Sequence, residues 1–200
     1  MKMKMKMKMK KISMFIFRTR GLYMLIALGI AIAIKQYFNQ TTPFVYFLIG
    51  AAVVVTAQTF RFWAAAYLWG RHAVLEAGAD FLCTSGPYAY IRNPLYLGNL
   101  FIGVGFCIMI NEWYAYLLFL ISYALVYQVV IPYEEEFLEE KFKENYVKYK
   151  NQTHRLMPSF KPYRENAETM PDWKAGIMGE IHAPFMLAVI SLIIYVLFVG

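Results

Sequence analysis

LYLGNLFIGVGFCIMINEWYAYLLFLISYALVYQVVI, residues Leu95–Ile131, contains two apolar runs that are separated only by Asn111 and Glu112. Two residues are too few for anything but a tight turn between helices. Each run approaches the roughly 20 apolar residues that a helix needs to cross a bilayer. This stretch therefore predicts a helical hairpin inside a membrane.

Three further apolar stretches lie outside the hairpin. They are Gly21–Phe38, Phe44–Trp69 and Pro184–Val199, in a chain of 200 residues that is 60% hydrophobic and 18% aromatic. Together with Leu95–Ile110 and Trp113–Ile131 they make five predicted spans, of which the third and fifth are short. The predicted fold class is all-α: a polytopic helical membrane protein with about five transmembrane helices and one cytoplasmic amphipathic helix.

Positive charge is distributed unevenly along the chain, whose formal net charge is +7. If the N-terminus is cytoplasmic, 19 of the 20 lysines and arginines fall on the cytoplasmic side of the predicted spans, and only Lys35 lies near the other side. The positive-inside rule describes this bias. We therefore expect an integral, multi-pass membrane protein with a cytoplasmic N-terminus and a cytoplasmic active face, embedded in the lipid bilayer and without a nucleic-acid partner.

Two charged segments border the spans. The opening MKMKMKMKMKK is expected to be disordered, because its lysines repel one another; it is either a topogenic tail or a polybasic arm for anionic lipid. After Pro132, apolar residues recur at helical spacing among charges: Phe137, Leu138, Phe142, Tyr146 and Tyr149. This spacing predicts an amphipathic helix at the cytoplasmic surface.

The predicted organisation has four segments. Residues 1–20 form a basic cytoplasmic tail, and residues 21–83 form the first transmembrane hairpin with a cytoplasmic loop. Residues 84–160 form the core, with a polar loop, the second hairpin and the amphipathic helix. Residues 161–200 form a linker and the last span.

Other charged and sulfur-containing residues do not predict a second site. Arg61 is expected to snorkel to the headgroup region, and Glu180 is expected at the membrane interface. Cys83 and Cys107 have neither a disulfide context nor zinc-ligand spacing, so no metal site is expected.

A polar segment, TSGPYAYIRNPLYLGN (Thr84–Asn99), stands where the chain enters the second hairpin. Because the hairpin returns to the same side at Pro132, its topology predicts that Arg92 lies near the cluster Glu134–Glu136. Ionisable groups at a membrane usually face a partner or a cavity. A structural salt bridge would satisfy this rule, whereas the tyrosines and the arginine also suit a pocket for an aromatic cofactor with a sulfonium and a carboxylate.

GPYAYIRNPLYLGN, followed by PYEEEFLEEKFKENYVKYKNQTHRLMP, resembles the isoprenylcysteine carboxyl methyltransferase and phospholipid methyltransferase superfamily. Its members carry G-x-Y-x-x-x-R-[HN]-P-x-Y-x-G and, one hairpin later, P-x-E-E-x-x-L-x-x-x-[FY]-G-x-x-Y-x-x-Y and R-x-x-P. The similarity covers residues 86–158. There are two departures: Asn93 stands where many members have histidine, and Lys143 replaces the usual glycine after Phe142.

The resemblance implies a membrane methyltransferase that binds S-adenosylmethionine outside any Rossmann fold. The implied acceptor is lipidic or small and hydrophobic, like an isoprenylcysteine carboxylate or a phospholipid amine. By position, the implied catalytic residues are Arg92 and Glu135. The implied cofactor-binding residues are Tyr88, Arg92, Asn93, Pro94, Tyr96, Gly98, Glu134, Glu135, Tyr146, Tyr149 and Arg155.

Two other functions are compatible with a chain of this kind. One is a non-catalytic membrane scaffold or binding protein that retains the fold. The other is a sterol-reductase-like oxidoreductase, which the short chain and the Glu134–Glu135 pair disfavour.

Overall fold

A computed structural model describes residues 2–68, 81–164 and 170–199, with side chains from residue 11 onward. Within these residues the chain forms six α-helices and no strand: α1 Lys2–Tyr37, α2 Phe44–Leu68, α3 Pro94–Ile110, α4 Trp113–Gln152, α5 Trp173–Gly179 and α6 His182–Phe198. A 3-10 turn, Gly86–Ala89, precedes α3, and one isolated parallel β-bridge joins Ile91 to His154. The prediction of an all-helical membrane protein is confirmed.

Three of these helices are long and apolar enough to span a membrane, namely α1 over Lys11–Tyr37, α2 and α4. Helices α5 and α6 meet at a bend of 47° and pass the same test only as a pair. Helix α3 has 17 residues, and at about 1.5 Å per residue it falls short of a hydrocarbon core of about 30 Å. The described helices therefore give three spans, or four with the bent pair, where the sequence predicts five.

The N-terminal tail is helical, which corrects the expectation of disorder. Helix α1 begins at Lys2 and continues without a break into the first span. Methionine and lysine are good helix formers, and a segment that extends an existing helix avoids the cost of nucleation. Charge repulsion therefore does not decide the conformation of this tail.

The predicted tight turn between α3 and α4 is confirmed. Helix α3 ends at Ile110 and α4 begins at Trp113. Between them Asn111 adopts a left-handed conformation, with φ 56°, and its N–H donates to the carbonyl of Cys107 at 2.9 Å. Asparagine tolerates this conformation better than most residues, so the turn needs no glycine.

Helix α4 is longer than the sequence predicts. The sequence predicts that the fourth span ends at Ile131, but the helix continues through Pro132 to Gln152. The residues after the proline are mostly glutamate, leucine and lysine, which are strong helix formers. A break occurs only at Lys143, where φ is 48° and ψ is −122°. The predicted amphipathic helix is therefore the kinked, charged continuation of the span.

Replacing Lys143 by glycine is expected to stabilise the protein by about 1 kcal/mol, because non-glycine residues pay of order 1–3 kcal/mol in such a conformation. The superfamily pattern has glycine at this position. Thermal unfolding in detergent measures the change. Lys148→Gly is the matched control, since this exposed lysine lies in regular helix and its replacement should destabilise the protein by about 1 kcal/mol. Equal destabilisation by both glycines would contradict strain at Lys143.

The described residues divide into two compact units, and α2, α3, α4 and α6 contribute to both. Unit 1 consists of Met1–Val53, Gly103–Glu135 and Ser191–Gly200; unit 2 consists of Val54–Ile102 and Glu136–Ile190. The four-segment linear division stays a prediction, and residues 69–80 of its first cytoplasmic loop lie outside the described residues.

Lys35, the cation that the sequence places apart from the others, is fully buried in unit 1. Its Nζ donates to the carbonyl of Ile110 at 2.7 Å and to Oε1 of Glu112 at 3.1 Å, and it lies 5.4 Å from the centroid of the Phe198 ring. The hydroxyl of Thr42 donates to the same Ile110 carbonyl at 3.2 Å. These contacts fix the end of α1 to the turn between α3 and α4.

Candidate functional site

The polar segment Thr84–Asn99 lies in unit 2 and is packed against the end of α2. Gly86 opens the 3-10 turn with φ +58°, and a side chain at this position would collide with the ring of Tyr67. Tyr88 packs with Ala64 of α2 in one apolar cluster. Only glycine allows both the left-handed backbone and the close approach of the Tyr67 ring.

The first motif is hydrogen-bonded to the end of the second. The main-chain N–H of Arg92 donates to the carbonyl of His154 at 2.9 Å, and that of Asn93 donates to the carbonyl of Arg155 at 3.2 Å. The Nδ2 of Asn93 donates to the same Arg155 carbonyl at 3.1 Å. We call this structure, residues 88–93 with residues 149–163, the motif junction. It brings together two segments that are far apart in the sequence.

The side chain of Arg92 holds the end of α4. Its Nη1 donates to the carbonyls of Lys150 at 2.6 Å and Thr153 at 2.7 Å. The last carbonyls of a helix have no intrahelical partner, and the helix dipole favours a cation there. Because Thr153 is buried, its carbonyl would be costly to leave unpaired. These contacts give Arg92 a structural role at the motif junction.

The motif tyrosines are buried in unit 2. Tyr146, Tyr149 and Tyr163 form one cluster, with edge-on ring contacts at centroid distances of 6.1 Å and 5.2 Å. The hydroxyl of Tyr149 donates to the carbonyl of Tyr88 at 2.7 Å, and the N–H of Tyr163 donates to the carbonyl of Ala89 at 2.8 Å. These tyrosines stabilise the motif junction, and their cofactor-binding role stays a prediction.

Pro94, Tyr96 and Gly98 occupy the first turns of α3. Pro94 begins the helix, where its missing N–H leaves no hydrogen bond unmade, and Tyr96 is buried. A side chain at Gly98 would collide with Arg61 of α2. The motif glycine Gly98 therefore gives the Arg61 side chain room to pass over α3. The cofactor-binding role of Gly98 stays a prediction.

Arg61 belongs to a buried polar cluster that sequence reasoning does not reveal. Its Nη2 and Nε donate to Oε2 of Glu180 at 2.6 Å and 3.2 Å. Its Nη1 donates to Oδ1 of Asn99, and more weakly to the carbonyl of Leu95 at 3.4 Å. The side chains of Arg61 and Glu180 are only 14% and 7% exposed.

The expectation that Arg61 snorkels is therefore wrong, and the interfacial position of Glu180 stays a prediction. The two side chains neutralise each other inside unit 2, where neither could remain charged alone without a large desolvation cost. The signal that could have indicated the pair is an arginine within one apolar stretch and a glutamate just before another.

Glu134 and Glu135 lie in unit 1, on α4. Glu135 is buried, at 4% exposure, and Glu134 is half-buried. Arg92 lies in unit 2, and its predicted pairing with these glutamates stays a prediction. A carboxylate buried as deeply as that of Glu135 needs a charge or hydrogen-bond partner. The position of the Glu135 side chain is therefore more constrained than that of the half-buried Glu134 side chain.

No group of three or more His, Cys, Asp or Glu side chains is placed to hold a metal ion in the part of the chain that the structure describes. Cys83 and Cys107 are both buried and form no disulfide. The candidate site in unit 2 is the motif junction, because both sequence motifs meet there.

Comparison with known families identifies the chain. The sequence model of the family described as phospholipid methyltransferase matches residues 45–145, half of the sequence. The chain belongs to this family. Because the phospholipid methyltransferase family falls within the isoprenylcysteine carboxyl methyltransferase-like superfamily, the resemblance seen in the two motifs is confirmed.

Two curated relatives of this phospholipid methyltransferase family member come from bacteria and are named for metal resistance. The cobalt-zinc-cadmium resistance protein CzcN of Cupriavidus metallidurans is 33% identical over 116 residues, which are 58% of this chain and 50% of that protein. The nickel-cobalt-cadmium resistance protein NccN of Alcaligenes xylosoxydans xylosoxydans is 27% identical over 152 residues, which are 74% of this chain and 68% of that protein. The chain thus spans about half the length of the first relative. No solved structure gives a significant match.

Proposed function

We propose that this phospholipid methyltransferase family member transfers a methyl group from S-adenosylmethionine to a lipidic or small hydrophobic acceptor. The observation that carries the proposal is the motif junction, in which Arg92 and Asn93 are hydrogen-bonded to the His154–Arg155 segment. Both motifs of the superfamily are thereby parts of one structure. A structural salt bridge between Arg92 and a glutamate would not require main-chain hydrogen bonds between the two motifs.

The residues available suit S-adenosylmethionine chemically. Arg92 and Arg155 are both residues of the junction, and a guanidinium group binds a carboxylate in a bidentate manner. Tyr90 is 41% exposed and offers a flat aromatic face that would attract a sulfonium. By its motif position Glu135 is also proposed to bind the cofactor, since a carboxylate accepts hydrogen bonds from hydroxyl groups.

The bound S-adenosylmethionine supplies an electrophilic methyl group on a sulfonium. The protein contributes alignment and exclusion of water, because the positive charge disappears during transfer and little new charge needs stabilisation. The hydrogen bonds of the motif junction hold Arg92 and Asn93 in fixed positions for this purpose. Asn93 cannot take up a proton, so the proposal favours an acceptor that arrives deprotonated, such as a carboxylate.

The position of the motif junction supports a lipidic acceptor. The first motif leads directly into the apolar helix α3 and packs against α2 close to its end at Leu68. An acceptor with an apolar tail could remain in the bilayer while its polar group reaches the junction. In the orientation favoured by the lysines and arginines, this side of the membrane is cytoplasmic.

Calorimetric titration of S-adenosylmethionine into the purified protein in nanodiscs tests the proposal. We expect micromolar-range binding, weakened about tenfold or more by Glu135→Gln, since losing a charged hydrogen bond costs about 1.5–3 kcal/mol. The control is Glu144→Gln, which changes an exposed carboxylate of α4 and should leave binding unchanged. A well-folded wild type without binding would overturn the methyltransferase proposal and favour the non-catalytic scaffold.

The relatives also suggest a physiological role. Both are named as resistance proteins against cobalt and cadmium. We infer that methyl transfer by this protein contributes to resistance against such divalent metals. Expression in a cadmium-sensitive bacterium should raise the tolerated cadmium concentration for the wild type but not for Arg92→Ala. Equal protection by the wild type and by Arg92→Ala would contradict this inference, because resistance would then not depend on methyl transfer.

A further inference from the structure

The segment after α4 exposes large apolar side chains on a fixed backbone. Phe160 is fully exposed, at 104%, and Met157 is 74% exposed. Between them, the N–H of Ser159 donates to the carbonyl of Tyr90 at 2.8 Å, a bond within the motif junction that fixes the backbone here. We call residues 155–161 the exposed loop. Its apolar side chains face the surroundings although its backbone is held in place.

The exposed loop lies beside the start of α3 and the last described turns of α2. Its partner Tyr90 comes shortly before Pro94, where the apolar helix α3 begins. Tyr88, two positions before Tyr90, packs with Ala64 in the last turns of α2, a span that ends at Leu68. One apolar helix thus ends and another begins beside the loop.

Helix α5 lies beside the same turns of α2. The N–H of Asp172 donates to the carbonyl of Ala66 at 2.7 Å, and a side chain at Gly176 would come within 2.6 Å of the Ala66 Cα. Helix α5 therefore lies beside the last turns of α2, and it exposes Trp173 and Ile177. Tryptophan is enriched where a membrane meets water.

Positive charge accompanies these apolar side chains. Arg155, Lys161 and Arg164 are exposed, and residues 155–164 contain no aspartate or glutamate. Apolar residues among cations are typical of segments that insert into the headgroup region of an anionic leaflet. The exposed surface of α4, in contrast, carries both signs, as in the Lys150–Glu139 pair.

We propose that the exposed loop docks into the headgroup region of the leaflet at which α2 ends and α3 begins. Met157 and Phe160 insert toward the acyl chains, and Lys161 contacts the phosphates of anionic lipids. This docking fixes the height of the motif junction relative to the lipid. It does not depend on methyl transfer, and its test needs no activity measurement.

A nitroxide spin label at residue 160 reports the depth of the loop. The full chain carries Phe160→Cys, with Cys83 and Cys107 replaced by alanine, in nanodiscs of phosphatidylcholine with or without phosphatidylglycerol. Collisions with oxygen, which partitions into lipid, are compared with collisions with a water-soluble nickel chelate. Val55→Cys, on a 65% exposed position of α2, gives the lipid reference, and Lys148→Cys gives the water reference.

We expect the label at residue 160 to be protected from the nickel chelate relative to Lys148→Cys, and more strongly in anionic discs. Adding Lys161→Gln should lower the ratio of inserted to solvent-exposed label about fivefold in anionic discs and leave it unchanged in neutral discs. A label as accessible to the chelate as that of Lys148→Cys in both lipids would overturn the proposal. So would protection from both reagents, which would indicate a protein partner on the loop.

Discussion

Replacing Arg92 by alanine is expected to weaken S-adenosylmethionine binding and to loosen the motif junction. The variant loses the hydrogen bonds from Nη1 to the carbonyls of Lys150 and Thr153. Hydrogen bonds to a charged group contribute about 1.5–3 kcal/mol, and the two share one donor atom, so we expect a local loss of about 2–4 kcal/mol. Binding should fall more than tenfold.

Hydrogen exchange separates this structural effect from a loss of ligand contact. The main-chain N–H groups of Arg92, Asn93 and Ser159 all donate across the junction, so they should exchange faster in Arg92→Ala. Arg92→Lys should restore the charge but only part of the protection, since lysine lacks the planar fork of donors. Arg164→Ala removes an exposed arginine of the following segment and serves as the control. Unchanged exchange in Arg92→Ala would contradict the role assigned to this side chain.

Local signals in the sequence were sufficient for most of the helices. The apolar stretches and the two-residue turn at Asn111 and Glu112 indicate where α2, α3 and α4 begin, because helix length and polarity are local properties. The far end of α4 could not be predicted in this way. Pro132 usually marks a helix boundary, yet the strong helix formers that follow it continue the helix as far as the break at Lys143.

The two motifs of the candidate site could be read from the sequence, whereas the hydrogen bonds of the motif junction could not. Arg92 was selected for a charged partner, and topology pointed to the glutamates of α4. That pairing stays a prediction, and the Arg92 side chain also donates to the carbonyls of Lys150 and Thr153 at the end of the same helix. Carbonyl acceptors have no sequence signature, since every residue carries one. The same reason explains why the junction between the two motifs could not be foreseen.

Replacing Glu180 by methionine is expected to destabilise the protein by about 3–5 kcal/mol, which is the cost of leaving one member of a buried ion pair alone. Arg61 would lose its carboxylate partner while remaining largely buried beside Gly98. Arg61→Met should cost a similar amount, because it leaves Glu180 buried and unpaired. Denaturant unfolding in mild detergent measures each variant.

The double variant Arg61→Met with Glu180→Met is the decisive member of this series. Two well-packed apolar side chains of similar volume often replace a buried ion pair at little net cost, so we expect a stability within about 1 kcal/mol of the wild type. The exposed pair Lys150–Glu139 is the matched control, and Glu139→Met should cost less than about 1 kcal/mol. If the two single losses simply add in the double variant, the cluster does not act as a coupled pair. Recovery in the double variant would show that unit 2 needs charge neutrality at this position rather than the charges themselves. If a stable double variant loses S-adenosylmethionine binding, Arg61 or Glu180 contributes to that binding.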